Sequence, residues 1–489
     1  MTSSAASATP SIASSTEQQK LPLSSLTAMV IGSMVGAGIF NLPGRFATAT
    51  GPFGALIAWA IAGAGMYMLA RVFQVLAERR PDIDSGVFAY AKAGFGDYVG
   101  FLSAFGYWLG SCLGNTFYWV LISTTLGRFF PEIFGEGTSA MAIIVSLIGV
   151  WAFHFMILRG VKEATFVNKV VTVAKIVPLI MAILLFVFFF NYSQFSENFF
   201  GGVGMPEKSL IAQVRDTMLI TVFVFIGIEG ASVYSRFAQK RSDVGAATIL
   251  GFVGVTGLMV AITLLPYATA PRAAIAGVPN PSLAGALELV VGHWGAVLIS
   301  IGVLVSVLGA FLAWTLICAE VLFAAGKSND MPRLFAKQNS NEVPTYALWL
   351  SNIVCSLFII STYWSRDAFN FMLDMTSVTT LLPYLLVAGY GVLLARSGVG
   401  YEKTPNERGR DQIIAGIAVV YTIFMFIAAG LKYVLLTAVL FAPGTILYFW
   451  ARREQNARLF TPVELGVFAV TLIMAAVGVY GLATGLITP

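Results

Sequence analysis

At 489 residues, 57% hydrophobic and only 11% charged, the chain is far more apolar than a soluble domain, which carries about 25% charged residues; it reads as a polytopic membrane protein with no room for a sizeable soluble domain. The formal net charge of +5 does not point to nucleic acid, because basic residues in such a chain mark the loops of one side. The three cysteines, Cys112, Cys318 and Cys355, sit inside apolar runs without metal or redox spacing, and neither a cofactor nor a metal is expected.

Residues 1–23 are rich in Ser, Ala and Thr, with neither a basic start nor an apolar core, and read as a disordered cytoplasmic tail rather than a signal peptide. Beyond them, apolar stretches of about 20 residues recur, the length of a transmembrane helix. They fall at 25–49, 52–77, 98–130, 139–158, 165–190, 211–236, 246–268, 293–325, 345–363, 368–395, 412–430, 433–451 and 464–485. The pattern predicts an all-α polytopic fold. Twelve spans form a core over 24–455, and a thirteenth lies within 456–489, beyond a charged linker from Ala451 to Pro462. The period-two alternation of a barrel strand is absent. With the N-terminus inside, the loops of its side hold 20 Lys and Arg, Arg79, Lys327 and Lys403 among them, against 7 on the other, such as Arg45, Lys208 and Lys432. That asymmetry predicts a cytoplasmic N-terminus.

The first span is interrupted. Gly32-Ser33-Met34-Val35-Gly36-Ala37-Gly38-Ile39-Phe40 puts glycines in mid-membrane, where each weakens a helix by about 1 kcal/mol relative to alanine and unpaired backbone costs several kcal/mol per group. Close helix packing through small residues is one account. The other is a helix broken where it lines a cavity, its half-helix ends offering free N–H groups to a carboxylate. The sixth span repeats the feature in Phe223-Val224-Phe225-Ile226-Gly227-Ile228-Glu229-Gly230-Ala231-Ser232, with two glycines flanking an acid. Spans five apart cross the membrane in opposite directions. Paired, Gly-interrupted spans at that separation predict an inverted five-plus-five repeat, with discontinuous helices 1 and 6 around a central site.

Ionisable residues inside spans are the next signal. Glu229, near mid-membrane, costs at least about 2.5–3.5 kcal/mol on insertion scales and is a functional candidate by default. It suits a proton-sensitive gate; the alternative is an acid bonded to a neighbouring helix. Lys175, in the fifth span, lies about two turns from the nearer membrane face, which favours a functional or structural cation over a snorkelling side chain. Asp374, in the tenth span, is expected either to meet a cationic side chain on the outer side or to pack as a polar residue. Glu320 is placed toward the cytoplasmic end of the eighth span. In the third span Tyr107, Gly110/Ser111, Gly114 and Tyr118 recur at helical spacing, so one face mixes hydroxyls and small residues, with Asn115 at its border. Trp314 is followed by Thr315 in the eighth span. Aromatic faces toward a cavity hold a desolvated cation by about 2 kcal/mol, although most membrane aromatics pack or anchor at interfaces. His154 and His293 are isolated and read as structural. No nucleophile–base pair or metal cluster supports an enzyme, and broken helices built to occlude a solute suit a carrier better than a channel.

Further segments carry a resemblance: Gly-Ser-Met-Val-Gly-Ala-Gly-Ile-Phe-Asn-Leu-Pro (32–43), Ser-Gly-Val-Phe-Ala-Tyr-Ala-Lys-Ala-Gly-Phe-Gly (85–96), Tyr-Trp-Leu-Gly-Ser-Cys-Leu-Gly-Asn (107–115), Phe-Ile-Gly-Ile-Glu-Gly-Ala-Ser (225–232) and Leu-Leu-Pro-Tyr (381–384). From about Leu23 to Arg453 the chain resembles the amino acid–polyamine–organocation superfamily, in particular its basic amino acid/polyamine antiporters. It is most similar to the bacterial arginine/ornithine branch, whose Lys-Ala-Gly-Phe-Gly-Asp-Tyr and Leu-Arg-Gly-Val-Lys-Glu-Ala segments stand at 92–98 and 158–164.

The resemblance implies a leucine-transporter-like fold and alternating access. It implies substrate α-groups at Ser33, Gly36, Ala37 and Gly38 with the Ile226 carbonyl, further site positions at Tyr107, Asn115 and Tyr118, an aromatic contact at Trp314 and a gate at Glu229. Lys175 matches a fifth-span lysine of other branches, whose ammonium stands where sodium sits in sodium-coupled relatives; that argues against sodium coupling. There are two departures. Phe223 replaces a tryptophan that stacks on the guanidinium in the family's arginine/agmatine exchanger, and phenylalanine has a weaker π-face. Ala37 replaces a serine, removing a hydroxyl. The expectation is a secondary exchanger in the bacterial inner membrane, arginine against ornithine, with Phe223, Trp314, Glu229 and Asp374 selecting the side chain. The alternative is a proton-coupled basic amino acid permease or an exchanger of amino acid for amine, such as agmatine or cadaverine. The expected partners are small cationic amino acids and the lipid bilayer, not nucleic acid, with a homodimer as one assembly open to the chain.

Overall fold

The computed structural model describes residues 22–83, 87–160, 164–206, 208–229, 241–365 and 367–487; the side chains of 25, 26, 28, 29, 33, 164–174 and 241–245 are not described. Outside these residues lie the expected tail up to residue 21, the part of the sixth span from Gly230 to Arg236 with the loop beyond it to Lys240, and the loop charges Lys20, Lys162 and Arg366.

The described regular structure is helical. α1 (Leu23–Met34) stops among the glycines, a tight 3-10 turn follows over Ala37–Asn41, and α2 (Leu42–Ala49) continues the first span. Next come α3 (Pro52–Arg79), α4 (Val87–Phe95), α5 (Asp97–Gly127), α6 (Ala140–Leu158), α7 (Ala164–Phe188) and α8 (Leu210–Phe225), the last ending just before Gly227. α9 (Arg241–Leu264), α10 (Ser282–Val291), α11 (His293–Lys327), α12 (Thr345–Ser361), α13 (Ala368–Ser397), α14 (Arg408–Glu454) and α15 (Pro462–Ala483) follow. α14 covers two of the expected spans. It is two helices meeting at Gly430, whose φ of 81° and ψ of 160° lie where glycine is favoured.

Among the described residues, eight helices are long and apolar enough to cross a membrane. α5 is not one of them, although it is 31 residues long. The reason is its position. α5 and α13 pack on one another through the middle of the molecule, α5 also touching α11 and α12, and α13 touching α14. α5 is buried almost from end to end, so its surroundings are protein, and it carries glycine and hydroxyl residues where a lipid-facing helix carries aliphatic ones. A Cβ on Gly110 would stand 2.8 Å from the hydroxyl oxygens of both Thr379 and Thr380; glycine is what lets α5 and α13 approach.

Two polar clusters fix one end of the bundle, the end that carries Arg79. Arg79 donates to Glu407 at 2.5 Å, to the Thr404 hydroxyl at 2.9 Å and to the Gly400 carbonyl at 3.0 Å, and lies 3.2 Å from Asp411. This ties α3 to the connection between α13 and α14. α15 is fastened by its first turn. Thr461 and Glu464 form a capping box, and Glu464 Oε1 also accepts from the Tyr98 amide of α5 at 2.8 Å. Arg452 joins Asp97 at 2.8 Å, and the Tyr98 ring lies edge-on to Phe460 and Phe468.

Candidate functional site

Helix ends buried in mid-bundle must find partners for their orphan backbone groups. At the C-terminus of α1 the partner is Lys175 of α7, whose Nζ donates to the carbonyls of Gly32 at 2.8 Å and Val35 at 3.0 Å. The ammonium also meets the negative end of the helix dipole. Lys175 is 5% exposed and so reaches inward to the break instead of snorkelling to the surface. After the break the chain is extended at Gly36, and Ala37 opens the 3-10 turn. The first N–H groups of such a turn have no partner within it. A Cβ on Gly36 would meet only the Tyr118 hydroxyl, at 3.8 Å, so the backbone there faces open space. A Cβ on Gly38 would fall 2.5 and 2.8 Å from the Phe223 ring and 2.9 Å from Val224; this glycine lets α8 pack onto the turn.

The second break begins after Phe225. Ile226 leaves the helical region, and Gly227 has φ +105°, a conformation that favours glycine. Glu229 folds back into this notch. Its Oε2 accepts from the Gly227 amide at 3.1 Å and from the Tyr384 hydroxyl at 2.7 Å, and its Oε1 accepts from the Tyr107 hydroxyl at 2.5 Å. One carboxylate thus ties the broken α8 to α5 and α13. Tyr384 belongs to the Leu-Leu-Pro-Tyr segment, to which the sequence assigned no role. The available signal was a phenol inside an apolar helix, which needs a hydrogen-bond partner when buried.

Between the breaks lies a cavity of about 30 Å3, lined by Gly36, Gly38, Phe223, Ile226, by Tyr107, Ser111, Gly114 and Tyr118 of α5, by Trp314 of α11, and by Thr376 and Thr380 of α13. A buried water needs about 10–15 Å3, so this space holds roughly two; an amino acid requires the walls to part. The structure therefore brings together Gly36, Gly38, Tyr107, Tyr118, Phe223, Ile226 and Trp314, with Glu229 behind Tyr107. Ala37 is buried in the turn without lining the cavity, and the Ser33 side chain lies outside the described ones. Asn115 does not line the cavity in this arrangement. It turns away to α11, donating to the Thr315 hydroxyl at 3.3 Å and the Cys318 sulfur at 3.6 Å, because its border position falls on the side that α11 covers. Thr376 and Thr380 were missed, although two threonines one turn apart repeat the hydroxyl signal read on α5.

A wider cavity, about 510 Å3, opens at the end of the bundle away from Arg79. Asp374 belongs to it. Its Oδ1 and Oδ2 accept from Arg45 Nη2 at 2.8 and 2.6 Å, and Oδ2 also accepts from the Tyr433 hydroxyl at 3.0 Å. The cation expected beside Asp374 is thus supplied by the chain itself. His154 also has a structural partner, with its Nδ1 2.9 Å from the Asn352 amide nitrogen.

A family model described as amino acid permease matches residues 21–451. The chain belongs to the amino acid permease family. The permease is 48% identical to an arginine/ornithine antiporter of Pseudomonas aeruginosa, over 96% of this chain and 98% of that one. It is 41% identical to an L-lysine transport protein of Corynebacterium glutamicum over 94% of each. It is 36% identical to an arginine/agmatine antiporter of Chlamydia abortus over 94% of this chain and 96% of that one. Among solved structures, MhsT in complex with L-phenylalanine superposes with a TM-score of 0.56 at 18% identity, covering 83% of this chain and 98% of that one; this likeness shows the leucine-transporter-like fold alone. α15 lies beyond the family match.

Proposed function

We propose that this permease exchanges cationic amino acids, arginine against ornithine, by alternating access across the bacterial inner membrane. The observation that carries the reading is the convergence of two broken helices on one cavity. The turn after Gly36 presents amides to a carboxylate, and the Ile226 carbonyl, freed at the end of α8, suits an α-ammonium. Phe223, Trp314 and Tyr118 supply aromatic faces for a side-chain cation. The names of the relatives, all carriers of cationic amino acids or their amines, support the substrate class. In this reading the two breaks belong to the two halves of an inverted repeat, the Arg79 end is cytoplasmic by its excess of basic residues, residues 24–455 form a twelve-span core, and α15 is a thirteenth span.

Glu229 is the gate in this account. Its carboxylate holds α5, α8 and α13 together at the cavity edge, so any event that weakens those bonds lets the three elements move apart. Exchange of two substrates of equal charge is electroneutral and needs no ion. Counterflow in liposomes tests this: labelled arginine enters ornithine-loaded vesicles quickly and empty vesicles slowly. Equal rates would establish uptake without obligatory exchange. Proton-coupled uptake is the second reading, favoured by an acid at the site. A competition screen with ornithine, lysine, agmatine and cadaverine defines the counter-substrate.

A further inference from the structure

We propose that Arg272 is a positioning residue for the central site: it fixes the outer half of the first span, and through it the amides that the substrate's carboxylate meets. The inference rests on the exchanger reading above.

The outer half of the first span is one rod. A 3-10 turn of 5 residues, Ala37–Asn41, runs directly into the 8 residues of α2. The inner end of the rod brings Gly36 and Gly38 to the narrow cavity. A helix this short does not hold itself in place, and each of its ends leaves backbone groups without helical partners. The Asn41 side chain makes no capping bond at the start of α2. Instead the Ser282 hydroxyl of α10 accepts from the Gly44 amide at 2.9 Å. At the far end Arg272 donates from Nε to the Ala47 carbonyl at 2.7 Å and from Nη2 to the Thr48 carbonyl at 3.4 Å. The Tyr267 hydroxyl donates to the Thr50 carbonyl at 2.7 Å. One outer segment, residues 265–291, thus holds α2 at both ends.

Arg272 is 4% exposed, and among the described residues no carboxylate pairs with it. Its third bond runs from Nη1 to the Gly201 carbonyl at 2.6 Å. A buried charge met only by carbonyls is a costly way to fill a core. What a guanidinium supplies there, and an apolar side chain does not, is direction: a planar fork fixed by several acceptors at once. Asn198 aims the fork. Its side chain accepts from the Arg272 amide at 2.9 Å and donates to the carbonyls of Tyr267 at 2.7 Å and Ala270 at 2.9 Å. The inner half of the span ends in the same manner, with Lys175 on the Gly32 and Val35 carbonyls. Each half therefore closes on a buried cation from a different part of the chain, and the two halves are held separately. When the walls of the narrow cavity part to admit an amino acid, Arg272 sets where the amides of the outer half stand. A rod freed at its far end has to be ordered again on binding, and that weakens affinity.

Equilibrium binding of radiolabelled arginine to the purified permease in nanodiscs tests the proposal, because it reports affinity and the number of competent sites separately. Arg272→Gln is expected to raise the Kd about tenfold with the number of sites per protomer unchanged. Arg272→Lys keeps the charge without the fork, and its Kd falls between those of the wild type and Arg272→Gln. Ser282→Ala releases the other end of α2 more mildly and raises the Kd about threefold. A residue that only held the fold would, when replaced, lower the number of competent sites and leave the Kd of the remainder at the wild-type value. That outcome in Arg272→Gln overturns the proposal, as does an unaltered Kd at full occupancy. Should Arg272→Gln not fold, Ser282→Ala decides, and a wild-type Kd there is equally fatal. A wild-type permease that binds no arginine overturns the exchanger reading, and this inference with it; normal wild-type binding with an unaltered Kd in the variants overturns this inference alone.

Discussion

At Glu229 each oxygen takes a tyrosine hydroxyl, from two different helices, and the acid is itself part of the second break. Hydrogen bonds to a charged group are worth about 1.5–3 kcal/mol each. Tyr384→Phe is therefore expected to loosen α13 from the break and slow exchange, and Glu229→Gln to do the same, because an amide offers one acceptor oxygen where the carboxyl group offers two. Arginine exchange measured in proteoliposomes checks both, and an unaltered rate for Glu229→Gln removes the gate role. The glycines of the first break differ from one another. Gly38→Ala pushes a methyl into the Phe223 ring and Val224, with a cost of about 1–3 kcal/mol for overpacking. Gly36→Ala meets nothing closer than 3.8 Å and is expected to fold as the wild type. Thermal unfolding in detergent separates them: a lower Tm for Gly38→Ala alone is the expected result.

The helices show which features a sequence makes readable. Both breaks were legible because glycine in mid-span contradicts helix propensity, and Lys175 and Glu229 because charge in mid-span contradicts hydropathy. The boundaries of the apolar helices followed from composition. What composition did not reveal was rotation about a helix axis. Asn115 and Ser111 are one turn apart on α5, yet Asn115 bonds to α11 while Ser111 lines the cavity; the neighbour decides, and the neighbour is distant in sequence. The signal of Thr376 and Thr380 is easily overlooked, since threonine in a membrane helix commonly bonds its own backbone, as both do here. The attachment of α15 is another long-range fact. Glu464 caps its own helix and takes the Tyr98 amide. Glu464→Ala leaves both amides without that acceptor, and losing a cap costs about 1 kcal/mol. The variant is expected to melt earlier in detergent and still exchange arginine, because α15 stands away from both cavities. An unchanged Tm would make the contact incidental.

For the whole molecule, the uneven distribution of basic residues predicts a sidedness that labelling reads directly. The native cysteines are all buried, so single introduced thiols report cleanly. Lys403→Cys is expected to react with an impermeant maleimide only from the cytoplasmic side, and Lys208→Cys only from the opposite side; the reverse pattern inverts the topology. The narrow cavity lies between the two breaks and the wide one at the end away from Arg79, and both touch α8 and α13. Lys175 has a consequence at this scale. An ion that binds at a helix break and leaves on the other side transfers work from its own gradient to the cargo. An ammonium carried on α7 stays with the protein through every half-cycle and transfers none. In the exchanger reading the Lys175 site draws on no ion gradient, and the direction of net movement follows whichever reactions inside the cell consume the arriving compound and produce the departing one.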